Sequence, residues 1–151
     1  MASFTVNAGT DTNAKTVGNN DTGSISSTGT LSDTTDITWT GGSNSPGVVV
    51  DNFGTITATT RGIDTSGTFS TGSFTLNNHA GARLISKNND AFRVNTNITN
   101  GTITVDNAGI LVSGSVNGSG TIVAASSGQA LDFGAITSPN AVIKITTKPA
   151  G

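Results

Sequence analysis

Apolar positions along this chain come in short alternating runs, without the three-and-four spacing of an amphipathic helix. The stretch "VVVDNFGTITATTRGID", residues 48 to 64, shows the pattern. An apolar run meets an Asp-Asn corner and a glycine, then a Thr/Ile alternation, then a second glycine followed by isoleucine. Such a pattern predicts a strand, a corner and another strand. The phrase also returns. Gly54 opens "GTITATTRGID", Gly101 opens "GTITVDNAGIL" and Gly120 opens "GTIVAASSGQALDF". "AGARLISKNNDAFRV", from Ala80, follows the same plan, and "GSISSTGTL", from Gly23, is a weaker copy. Asparagines recur ahead of the glycines at Asn52, Asn78, Asn100 and Asn117.

Counted through Gly54, Gly81, Gly101 and Gly120, the copies lie 27, 20 and 19 residues apart. A unit of about 20 residues made of short strands and corners predicts a parallel β-solenoid. In that fold Ile56, Ile103 and Ile122 share one inward column, and Ile63, Phe92, Ile110 and Leu131 share a second. Four or five coils spaced ~4.8 Å apart make a stub about 20–25 Å long. Asn and Gly suit its corners because both tolerate left-handed backbone, and stacked Asn side chains hydrogen-bond along the axis.

Residues 1–45 are less regular and read as an N-terminal cap running into a first coil, with Phe4, Val6, Ile37 and Trp39 as its plug. Residues 46–151 read as coils truncated at the C-terminus, since "AVIKITTKPAG" alternates like a strand and stops without a cap. An open edge of that kind invites self-association by strand pairing. An immunoglobulin-like sandwich or jelly roll also has strands at this spacing, but neither explains why Gly-Thr-Ile returns.

Composition narrows the class. Thr, Gly, Ser and Asn dominate, all nine acidic residues are Asp, and strong helix formers are scarce. Only 33% of residues are hydrophobic, yet 11% are charged and the net charge is −2, which is too little charge for an ordinary disordered chain. Cysteine is absent, so disulfides and thiolate metal sites are excluded. Apolar runs all fall short of the ~18 residues that a membrane-spanning helix needs.

These phrases resemble the passenger region of bacterial autotransporters, the type V secreted proteins. The likeness lies in "VVVDNFGTITATTRGID", "FTLNNHAGARLISKNNDAFRV", "ITNGTITVDNAGILVSG" and "VNGSGTIVAASSGQALDF", over residues 23 to 136. The opening "ASFTVNAGTDT" resembles the start of a mature passenger. The resemblance implies a right-handed parallel β-helix, a signal sequence ahead of this segment and a membrane-embedded barrel after it. It also implies a secreted chain or one tethered at the bacterial outer membrane. A passenger threads a narrow barrel unfolded, which agrees with the lack of Cys.

Candidate chemistry is sparse. Neither Gly-Asp-Ser-Gly nor Gly-Asp-Ser-Leu occurs, and the single histidine, His79 in "NNHAG", reads as a polar corner residue. Asp64 and Asp132 fall at comparable points in their copies, but three coils put them ~14 Å apart, beyond the about 5–9.5 Å of a glycosidase pair. Asp51 and Asp106 read as turn residues, and "GGSNSPG" does not match a calcium-binding repeat. No enzyme activity, cofactor or metal is expected.

Arg83, Lys87 and Arg93, in "ARLISKNNDAFR", form a candidate patch for a sulfated glycan, an acidic protein or a lipid head group; the plainer reading is solvated corner charge. A pI of about 4.9 without aromatic–basic interleaving argues against nucleic acid. The function expected is adhesion: a stiff surface rod binding a host or bacterial surface protein or glycan through many weak contacts. A purely structural stalk or cap is the second reading, and a polysaccharide-active β-helix enzyme the third.

Overall fold

The computed structural model describes residues 3–41 and 43–149, and within them the chain is all-β. Its strands, in chain order, are β1 (Phe4–Asp11), β2 (Lys15–Val17), β3 (Thr22–Leu31), β4 (Thr35–Thr40) and β5 (Asn44–Asn52). There follow β6 (Thr55–Ala58), β7 (Arg61–Ser66), β8 (Thr71–Asn78), β9 (Arg83–Ser86) and β10 (Phe92–Arg93). The last are β11 (Gly101–Asn107), β12 (Ile110–Val116), β13 (Ile122–Ala124), β14 (Leu131–Asp132) and β15 (Ala141–Thr147).

Two sheets enclose one core. The larger runs β13-β12-β9-β6-β3-β5-β8-β11-β15, with β1 also beside β3, and the smaller runs β14-β10-β7-β4-β2. All these pairings are parallel except β12 with β13. Thr-rich, Val- and Ile-bearing strands alternate between buried and half-buried positions, the period of two that a sheet strand imposes.

The fork at β3 has a local cause. The first half of β3 pairs with β5, and its second half with β6. Between β5 and β6 the chain turns a corner at Asn52, Phe53 and Gly54, so one strand is continued by two. Gly54 is required there: a Cβ would collide with the carbonyl oxygens of Ser26 and Gly29. Gly109 meets the carbonyls of Ala82 and His79 in the same way.

The core is a set of columns running across the strands. Val48, Phe74, Ile103 and Ile143 pair in succession, as do Val50, Leu76, Val105 and Ile145. Leu31, Ile56, Leu84 and Leu111 form a third column, and Ile37, Ile63, Phe92 and Leu131 a fourth. Trp39, Phe69, Phe74, Phe92 and Phe133 link them as aromatic neighbours with ring centroids 4.7–5.2 Å apart, tilted except for the edge-to-face pair Phe92–Phe133. Such offset geometries suit the ring quadrupoles.

This order corrects the expected right-handed parallel β-helix of consecutive twenty-residue copies. That reading requires successive copies to pile in sequence and in one register. Instead the strand order in both sheets is non-sequential, the larger sheet forks, and one of its edges closes through an antiparallel pair. The return along the chain is uneven as well. Val6 meets Ile25, Ser24 meets Asp51, Val50 meets Leu76, Leu76 meets Val105 and Val105 meets Ile145. The first of these steps is the shortest and the last the longest, so no single period runs through the sheet.

The expected columns change accordingly. Ile56 lies in the Leu31 column on β6 and Ile103 in the Phe74 column on β11, while Ile122 sits on the exposed β13 opposite Val116. Gly-Thr-Ile thus opens three different elements, because any strand leaving a tight corner is served by glycine followed by β-branched residues. Ile63, Phe92 and Leu131 do share a column, but Ile110 stands opposite Arg83 in the other sheet. Strands β1 to β4, within the segment read as a cap, pair into both sheets; Val6, Ile37 and Trp39 are buried and Phe4 is half-buried.

Candidate functional site

The basic residues singled out in the sequence are not gathered into one free patch. Arg93 lies on β10 and donates two hydrogen bonds of 2.9 Å to the Asp64 carboxylate, which holds its guanidinium pKa above the usual value. Arg61 adds contacts to Asp64 at 3.8 Å and Asp90 at 3.4 Å. Arg83 is exposed on β9, in the other sheet, and Lys87 is exposed just beyond that strand. Asp132 stands beside Arg93, so Asp64 and Asp132 flank one guanidinium. Two strand spacings of about 4.8 Å separate their strands, not three.

The asparagines divide in the same way. Asn52 donates to the Asn78 side-chain oxygen at 2.8 Å, and Asn78 donates to that of Asn107 at 2.7 Å. Each also donates to a backbone carbonyl, of Arg83 and Ile110 respectively, so the buried amides are satisfied at the corner that splits the sheet. Asn100 is exposed ahead of β11, and Asn117 caps the β12–β13 turn by accepting from the Ser119 and Thr121 N–H groups. The third rung, Asn107, was the one missed. Its signal was the repeated pair Asp51-Asn52, Asn77-Asn78 and Asp106-Asn107, which marks the corner better than Asn-before-Gly does.

Beside this ladder lies a polar recess of about 280 Å³, lined by Asn77, His79, Asp106 and Lys148 among others. His79 stacks on Phe53 with 3.8 Å between centroids and an 8° interplanar angle, and its Nε2 lies 3.4 Å from Asp51. Lys148 bridges to Asp106 at 3.1 Å. The polar groups here are paired with one another. Among the described residues, no three His, Cys, Asp or Glu side chains converge as a metal set would.

The most distinctive surface is at the other side of β11 and β12. Four columns that are closed through the middle of the molecule lose their cover at the last member. Ile143 and Ile145 are 41% and 52% exposed, and Leu111 and Leu131 are half-buried. An apolar mouth of about 410 Å³ opens between them, lined chiefly by Val105, Leu111, Ala130, Leu131 and Ile145. Val142, Ile122 and Val123 are also exposed by 44–56%, so the large exposed aliphatics of the described residues all fall in the last third of the sequence, with Val142 on the opposite face of β15 from Ile143 and Ile145. Strand β15 is paired on one side only, with β11.

No family model matches this chain, and no curated protein or solved structure matches it either. The resemblance to autotransporter passengers is corrected on that finding together with the strand order: nothing identifies the chain as such a passenger. The adhesin, stalk and polysaccharide-enzyme readings all leaned on a sequential solenoid and are set aside with it.

Proposed function

We propose that this chain is an interaction module that accepts a β-strand of another polypeptide along the free edge of β15. The observation that carries this reading is the simultaneous loss of cover from the columns ending at Ile143, Ile145, Leu111 and Leu131. A sheet edge alone offers unpaired N–H and C=O groups, and a mouth alone offers apolar area. Here the two adjoin, as strand addition demands: ladder bonds supply affinity and alternate side chains find an apolar surface. Covering the exposed halves of Ile143 and Ile145 contributes roughly 1 kcal/mol each.

The role is binding rather than catalysis. Supporting it, Arg93, Asp64 and Asp90 are engaged in internal ion pairs, and the His79 recess is internally paired. A labelled peptide of the β11 sequence, Gly101–Asn107, provides the probe, since β11 is the strand β15 already pairs with. Saturable binding that is abolished by the double substitution Ile143→Asp and Ile145→Asp is expected. Peptide binding that is absent, or unchanged by the double substitution, would sink the reading.

A further inference from the structure

We infer that the strand received by β15 is β15 of a second copy of this chain, laid antiparallel across a two-fold axis. The inference rests on the strand-accepting reading and names its partner. Its basis is the unlikeness of the two ends. At the far end β1 presents Thr5, Asn7, Gly9 and Thr10 to solvent and keeps Val6 buried. The Ile37 column ends there at Lys15, whose ammonium is paired with Asp11 at 2.6 Å. Head-to-tail stacking would set Ile143 and Ile145 against this polar end and strip water from the ion pair, at a desolvation cost. Placing the apolar end on its own copy matches apolar with apolar.

The apolar centre of the contact is Ile143 and Ile145 on one face of β15, with Leu111 and Leu131 in the adjoining mouth. A two-fold contact of one patch with itself closes at two copies, whereas head-to-tail contacts run on into filaments.

The edge chemistry is suitable too. Lys148 N–H donates inward to Asn107, so by parallel alternation the N–H groups of Thr147, Ile145 and Ile143 face the free edge. A register with Ile145 opposite its own copy puts Lys144 beside Thr146, avoiding two lysines face to face.

Sedimentation or light scattering of the full chain tests this. The expected result is a dimer, at twice the 15.0 kDa chain mass. Ile145→Asp should raise its dissociation constant about tenfold or more. Thr147→Pro removes one outward donor without removing an apolar group or an inward bond, and should weaken the dimer while circular dichroism stays unchanged. Open-ended oligomers abolished by Ile145→Asp overturn the two-fold arrangement, as does a dimer indifferent to both substitutions. A monomer that still binds the β11 peptide overturns the second copy as partner and leaves strand acceptance standing. A monomer that binds no peptide overturns both.

Discussion

The middle of this molecule and its β15 end are made of the same residue types, yet one is closed and the other is not. Phe74, Leu76, Leu84 and Phe92 are fully buried, each with a strand on both sides. Ile143 and Ile145 are the last members of the Phe74 and Leu76 columns and remain near half exposure. Chemistry is not what differs; coverage is. A column position is apolar because of what lies above and below it, so the last member of a column carries the same side chain without the same burial. In the middle each member has a neighbour on both sides, Leu76 lying between Val50 and Val105. The connection from Val105 to Ile145 is longer and spends part of its length on the exposed strand β13.

The largest test of this contrast is Phe74→Ala, which empties a site touching Trp39 and Phe92 and should cost about 3–5 kcal/mol in denaturant unfolding. Ile145→Ala at the open end should cost a fraction of that in the isolated chain. Equal losses would mean that the end is closed in solution.

Next comes the buried carboxyl of Asp36, whose Oδ1 accepts the Asp33 N–H at 2.5 Å. Burial pushes its pKa up to about 8; the hydrogen bond from the Asp33 N–H opposes this, the Asp33 carboxylate adds to it, and Lys87 opposes it. The folded chain therefore keeps this proton from about pH 4 to 8, where the unfolded chain has lost it. Its contribution to stability is fullest at acid pH, falls as the pH rises through that window and levels off above it, at about 1.4 kcal/mol per unit of displacement. Asp36→Asn keeps the acceptor and should raise the melting temperature at pH 7 while flattening the slope. A melting temperature independent of pH in the parent chain would refute this.

Smaller again is the ladder. Asn78→Leu removes two donated bonds and leaves the Asn52 amide without its Asn78 acceptor, at an expected cost of about 1–3 kcal/mol. Asn100→Ala, at an exposed position, should stay within ~0.5 kcal/mol. Thermal unfolding of the pair reads out which asparagines form the corner, and similar losses would count against the ladder.

Much of this architecture was legible in the residues. Scarce helix formers, the Thr/Val/Ile alternation and the Asn and Gly punctuation point to sheets, and the chain is all-β. Asn52 and Asn78 stood out as corner residues because they flank recurring phrases. Less legible was which copies face one another. Gly-Thr-Ile begins β6, begins β11 and runs from the hairpin turn into β13, since a strand's first turn selects those residues wherever the strand lies. The basic trio looked like one patch in sequence, but Arg83 and Arg93 belong to different sheets.

What the sequence determined by itself was local: extended runs, where they turn, and which side of each run is apolar. Those follow from propensity and period-two alternation, which act within a few residues. The tertiary structure decided the register of each pass, the split of β3 into two successors and the exposure of the final column members. Each depends on which distant backbone supplies the opposing ladder. Connections as unequal as those joining Val6 to Ile25 and Val105 to Ile145 allow similar strands to meet in more than one way.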